Sequence, residues 1–422
     1  MVKDFTLFMD KPELNTWDRV WNRNLFVTGG DSWKRIRTIV SPTFTSGKLR
    51  AMHLMMDQCV KVLIGNLEQV ASSPSAVINA KDIFTGFTID VIASTCFSTA
   101  TNATTAAASP FVKHGVGLFS FMPLKTFSAT LLPRWFNSLI GNRSTFDPEH
   151  FDFFANLVKE VVRQRQSGSD SGRGNDFIQL LIDAARSEGQ AENDLTKSTL
   201  ITEAEIIGHF ETTSSTITHL LFELAHNPAI EERLRGELEA KLGHFGKDQV
   251  TSNEYFDTVM NQLPYLEATI KETLRRYPPL IQVERRLKEG VTGYKLGEEE
   301  EGGGGGIPLE AGTSVISCVY SVHNNPQYYP QPDRFRPERF LPENRHHLVP
   351  YAFLPFGAGP RQCLGMRFAY QEMKLLLAQL LRRFSFGLAE GTPRSLRFNE
   401  GSLFLTPQPF QLKVVERLVV EQ

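Results

Sequence analysis

The chain has 422 residues and a formal net charge of −2, with 41% of its residues hydrophobic and 22% charged. Those proportions are ordinary for a chain that buries a globular core, and the charge balance speaks against a nucleic-acid partner, which normally shows as a strongly basic face. Cys59, Cys96, Cys318 and Cys363 lie far apart with no C-x-x-C pair, so they suggest neither a zinc site nor a disulfide scaffold and fit a reducing compartment.

No run approaches the roughly 18 apolar residues of a membrane-spanning helix. The opening Met1-Val2-Lys3-Asp4-Phe5 carries a charge pair where a signal peptide would need an apolar stretch. Helical periodicity then dominates. Trp33 and Arg37 are four apart on one helix face, and Ser46–Val70 carries an apolar stripe from Leu49 through Leu63. Ala80–Phe97 and Phe151–Gln166 read the same way. Phe111–Ile140 is a dense apolar stretch with Lys125 and Arg134 interleaved, which suits either core helices or a membrane- or substrate-contacting surface. Ser167–Asn175 is a Ser/Gly/Asp linker before a helix at Asp176–Glu188. Glu203–Ala225 is a long helix ended by Asn227-Pro228, and Glu231–Leu242 and Tyr265–Tyr277 follow.

Beyond these helices the pattern changes. Gln282–Lys288 and Thr313–Tyr320 are strand candidates. Between them, 298–306 is an acidic, glycine-rich stretch that can bury nothing and reads as a flexible loop. Asn324–Pro360 is rich in Pro, Asn and aromatics with little periodicity, a length of irregular chain that is usually functional. Met366–Phe384 returns to helix, and Ser402–Val414 reads as a terminal hairpin. The class is mainly α with a small β part.

Three constellations carry chemistry. Cys363 sits in Phe356-Gly357-Ala358-Gly359-Pro360-Arg361-Gln362-Cys363-Leu364-Gly365, just before a helix. Glycines let such a loop pass close to something flat, and the helix start stabilises a thiolate, so Cys363 is a ligand or a nucleophile. Glu272 and Arg275 lie one turn apart on a helix that stops at Pro278-Pro279, and Arg339 follows in Phe335-Arg336-Pro337-Glu338-Arg339-Phe340. A buried network of the three would need every member, because removing one leaves an uncompensated charge. Glu211-Thr212-Thr213-Ser214-Ser215 places hydroxyl residues in mid-helix, where they compete for backbone hydrogen bonds and call for a purpose.

The cysteine loop, the E-x-x-R helix, the P-E-R-F segment and the acid–threonine pair together resemble the cytochrome P-450 haem-thiolate monooxygenases. Ser41–Leu49, Gly365–Ala369 and Leu412–Glu416 closely resemble the branch of vertebrate drug- and steroid-oxidising family 3 members and thromboxane synthase. The resemblance implies a single P-450 domain over 1–422, lacking the N-terminal membrane anchor and the first β-strands of the main sheet. It implies haem b (iron protoporphyrin IX) with Cys363 as axial ligand. Trp33, Arg37, Arg285 and Arg361 are its implied propionate partners, and Phe356 and Gly365 belong to the ligand loop. Glu272, Arg275 and Arg339 become a structural triad that holds that loop, and Glu211 with Thr212 delivers protons to iron-bound dioxygen.

The implied partners are a flavin-containing NADPH reductase and cytochrome b5, the former docking near Lys34 and Arg35, and an apolar small-molecule substrate. The implied location is the cytoplasmic face of the endoplasmic reticulum membrane, touched through 118–136, with Phe5–Leu25 lining part of the pocket. The resemblance fails at one place: about nine residues of helix, two and a half turns, are missing between Gly208 and Glu211, where His209 replaces a glycine. His209 reads as a surface or pocket-lining residue, with iron ligation as the alternative. Two other activities stay open: an isomerase of a lipid peroxide that needs no reductase, and an inactive remnant.

Overall fold

A computed structural model describes residues 2–11, 25–105, 109–118, 128, 132, 134–139, 148–166, 177–179, 210–297, 306–400 and 404–417. Gly208, His209, positions 12–24, most of 118–136, the Ser167–Asn175 linker and 298–305 lie outside the described residues. Helices predominate, with small antiparallel sheets.

Helix starts follow proline: Pro110–Leu118, Pro148–Gln166, Pro228–Leu242 and Pro264–Arg276 all begin on one. Proline fits the first helical position because its missing N–H would have no intrahelical acceptor there and its fixed φ is already helical. The expected helix at 46–70 is two helices, Ser46–Ala51 and His53–Ala71, broken at Met52. Ala80–Phe97 is buried nearly all round, as a helix without a polar face should be, and ends on Ser98 in the left-handed region at φ 50°. Residues 210–226 form a helix that runs to Asn227.

Met366–Arg383 is the hub of the core: it packs against His53–Ala71, Pro228–Leu242, Asn253–Asn261 and Pro264–Arg276. Leu375, Leu376, Leu377, Leu380 and Leu381 are buried on it, each stabilising by about 1.5–3 kcal/mol relative to exposure. The Cys363 loop therefore feeds directly into a buried helix that four other helices hold.

The β part corrects two expectations. Among the described residues the expected hairpin over Ser402–Val414 is replaced by longer-range pairing: Gln411–Glu416 is the central strand between Val77–Asn79 and Phe384–Leu388, with Ile78 opposite Leu412 and Phe386 opposite Val414. Thr313–Tyr320 is a strand only over Ser314–Ser317, paired with Val283–Arg286, and Tyr320 already belongs to the helix Val319–His323. Among the described residues this second sheet has two strands, widened by one bridge between Asp10 and Arg286. A third pair, Lys295–Leu296 with Ile307–Pro308, brackets the acidic loop.

Candidate haem site

The cysteine loop is built on two glycines with left-handed backbone, Gly357 at φ +70° and Gly359 at φ +73°, which a residue with a Cβ adopts only under strain. Turn bonds close it: Gly357 N–H donates to Leu354 O at 3.0 Å, Gln362 N–H to Gly359 O at 2.9 Å and Cys363 N–H to Phe356 O at 2.8 Å. Cys363 is exposed at the tip, and Gly365 caps the N-terminus of Met366–Arg383. The positive end of that helix favours a thiolate two residues upstream. Phe356 packs on the core, with its ring 5.5 Å from that of Tyr370.

Beside the loop the structure gathers cations. The Arg361 guanidinium lies 4.6 Å from the centre of the Trp33 ring and donates to Thr28 O at 2.5 Å, while its buried Nε has no partner. Burial, then the neighbouring Arg285, push its pKa down to about 10, against a partial opposing pull from Asp10 and with a further push from Arg37. Burial likewise holds Arg285 below its ordinary range. Lys11, whose ammonium rests on the Phe26 ring at 3.3 Å, is held well below the usual lysine range by burial, Arg285 and Arg361. Trp33, Arg37, Arg285 and Arg361 are thus brought together, and Lys11 joins them. Among the described residues, no carboxylate forms an ion pair with Lys11, Arg285 or Arg361.

A concentration of buried positive charge with an orphaned Nε is matched to a ligand carrying carboxylates, and the glycine loop presents a sulfur beside it. Those are the requirements of haem, which has two propionates and one thiolate position to fill, so the residues present fit that group.

Under the loop lies the triad. Glu272 and Arg275 are fully buried and joined by two bonds, Arg275 Nε to Oε2 at 2.8 Å and an Nη to Oε1 at 2.9 Å. Arg339 approaches Oε1 at 3.4 Å, and the Arg336 N–H donates to the same oxygen at 2.9 Å. The remaining Arg275 donors reach His323 O at 3.0 Å and Pro332 O at 2.8 Å.

Glu211 and Thr212 lie at the start of the 210–226 helix. The Glu211 carboxylate is buried, paired with Lys81 Nζ at 3.0 Å and accepting from Thr406 Oγ1 at 2.8 Å. Lys81 also donates to Ser214 and Ser215 at 2.9 and 3.0 Å, which gives the mid-helix hydroxyls their purpose. Sequence reasoning missed Lys81, although an interior lysine in the apolar Ala80–Phe97 run should have announced a counter-ion. It also missed Lys11 and His323, which no local spacing marks.

Comparison with known proteins decides the family: the cytochrome P450 model matches residues 2–414. The chain is a cytochrome P450. Relatives include cytochrome P450 3A28 of Bos taurus, 35% identical over 92% of this chain and 74% of that protein. Cytochrome P450 3A6 of Oryctolagus cuniculus is 36% identical over 93% of this chain and 75% of its own length. Cytochrome P450 3A7 of Homo sapiens is 34% identical, covering 92% and 74%. The match to the family over nearly the whole chain, with relatives of this kind, makes the P450 a haem-thiolate monooxygenase in general terms. The P450 fold accounts for the helix-dominated architecture and the small antiparallel sheets. Among the described residues no helix is long and apolar enough to cross a membrane.

Proposed function

We propose that this P450 inserts one oxygen atom of dioxygen into an apolar small organic substrate, a xenobiotic, steroid or lipid, using NADPH electrons delivered by a flavin-containing reductase, with cytochrome b5 as a second donor. The observation that carries the reading is the pairing of the Cys363 loop with the cation cluster of Lys11, Arg37, Arg285 and Arg361. Haem bound there supplies dioxygen binding and oxygen-atom transfer.

In this reading the chain's own residues divide the work. Cys363 holds the iron as a thiolate, and the four cations clamp the propionates. Phe356 and Gly365 fix the loop, while Glu272, Arg275 and Arg339 hold it from below. Glu211 and Thr212 pass protons, the Glu211 carboxylate being steadied by Lys81 and Thr406. Trp135 and Leu139, exposed by 69% and 76%, support membrane contact through the region around 118–136, at the cytoplasmic face of the endoplasmic reticulum. Exposed Lys34 and Arg35 suit an acidic reductase surface.

The test is the absorption spectrum of the reduced, carbon-monoxide-treated chain beside a Cys363→Ala variant, followed by turnover with reductase and isotopically labelled dioxygen. A long-wavelength Soret band lost only in the variant, and one labelled oxygen in the product, are expected. No haem uptake by the wild type, or product from a lipid endoperoxide without any reductase, would overturn the proposal.

A further inference from the structure

We infer that His323 is a positioning residue for the Cys363 loop, the joint through which the buried triad fixes where the thiolate stands. The inference rests on Cys363 being the iron ligand, and it concerns a residue outside every motif that resemblance singles out.

His323 is fully buried at the end of the short helix Val319–His323. Its Nε2 accepts from the Leu354 N–H at 2.8 Å, so Nε2 carries the lone pair and Nδ1 carries the proton. Nδ1 lies 3.1 Å from Arg275 O and donates to it. That carbonyl belongs to the last turn of Pro264–Arg276, where no intrahelical donor exists, so the imidazole also caps the helix. The bond is returned: the Arg275 guanidinium donates to His323 O at 3.0 Å. Burial lowers the His323 pKa to about 4, which keeps the ring neutral and its acceptor available. Phe353 stacks on it with centroids 5.5 Å apart and planes 22° from parallel.

The chain of bonds continues to the sulfur. Leu354, whose N–H the ring holds, accepts at its own carbonyl from Gly357 N–H, and Phe356 O accepts from Cys363 N–H. A second tie runs parallel: Tyr329 lies 5.4 Å under the Arg275 guanidinium and donates to Ala352 O at 3.0 Å. His323 and Tyr329 thus carry the frame of Glu272 and Arg275 into Leu354 and Ala352, in the irregular segment that enters the loop. Only a side chain with one donor and one acceptor about an imidazole's width apart satisfies both His323 contacts. A glutamine amide has that pairing; leucine and phenylalanine do not.

The experiment compares haem-loaded wild type with His323→Gln, His323→Leu and His323→Phe, each checked by urea unfolding. The readouts are the proportion of the long-wavelength Soret band in the reduced carbon-monoxide spectrum and amide hydrogen exchange at Leu354. Under conditions where each variant is folded, His323→Leu and His323→Phe should shift much of the band to the short-wavelength form. Leu354 exchange should accelerate on the order of tenfold per hydrogen bond lost. His323→Gln should restore both. A wild-type spectrum and exchange rate in the folded Leu and Phe variants, or a Gln variant indistinguishable from Phe, would overturn the inference. Should Leu fail to accumulate, the Gln and Phe pair decides alone. A wild type lacking the long-wavelength band would refute the Cys363 reading only, and the exchange comparison would still decide on His323.

Discussion

Arg275→Met is the sharpest test of the frame beneath the cysteine loop. The guanidinium is fully buried and makes bonds to both Glu272 oxygens, to His323 O and to Pro332 O, all at 2.8–3.0 Å. Methionine fills much of the volume but removes every donor. The Glu272 carboxylate then stays buried with only Arg339 at 3.4 Å and the Arg336 N–H at 2.9 Å to compensate it. Removing one partner of a buried pair costs about 3–5 kcal/mol, a fifth or more of a typical total stability of about 5–15 kcal/mol. Replacing both partners is a different perturbation, since no charge is then stranded. Glu272→Met with Arg275→Met should therefore cost about 2–3 kcal/mol less than the sum of the single variants. Urea unfolding of the four proteins measures the cycle, and the reduced carbon-monoxide spectrum reports whether the loop still presents Cys363. Additive costs, or an Arg275→Met loss under about 0.5 kcal/mol, would refute the reasoning, because surface substitutions already vary by that much.

Other parts of the molecule give independent checks. The Asp90 carboxylate accepts from Ala103 N–H and Thr104 N–H at 2.8 Å, from Thr104 Oγ1 at 2.6 Å and from Thr101 Oγ1, so Asp90→Ala should cost about 2–4 kcal/mol in urea unfolding by orphaning two amides. Gly86→Ala would place a Cβ 2.6 Å from Ala103 O, and the same assay should read a loss of about 1–3 kcal/mol from overpacking. Lys81→Met strands the buried Glu211 carboxylate; the loss in urea should largely vanish when Glu211→Gln is added, and a Glu211→Gln background that leaves the loss unchanged would reject the pairing. Burial raises the Glu231 pKa from 4.5 to about 7, so the native state holds that proton more tightly than the unfolded chain. Its contribution is complete below pH 4.5 and is lost as pH rises through 7, so Glu231→Gln should flatten that limb of the stability profile and stabilise at pH 8.

Much of the fold was legible where the evidence is local. Ala80–Phe97 and the helix from Met366 were readable because an apolar stripe needs no knowledge of its neighbour. The cysteine loop was readable because its glycines are required by backbone geometry alone. The terminal strand was misread for the opposite reason: Gln411–Glu416 is chosen by Val77–Asn79, more than 300 residues away, and by Phe384–Leu388. A stretch that pairs across such separation looks like a hairpin to any local reading. The same holds for the site. Glu272, Arg275 and Cys363 carry spacing, whereas Lys11, Lys81 and His323 are single residues whose meaning comes from segments folded onto them.

The crowding of Lys11, Arg285 and Arg361 makes the haem-free protein a sensor of its buffer. Each of the three lowers the proton affinity of another or is lowered by burial, so the folded chain without its ligand stores mutual repulsion. Anything that binds among these cations with several negative charges and ignores the unfolded chain will stabilise the fold by mass action. Citrate or phosphate should therefore protect the haem-free chain against urea better than chloride at equal ionic strength. That advantage should disappear once haem is loaded, which makes polyvalent anions the natural medium in which to purify and reconstitute it.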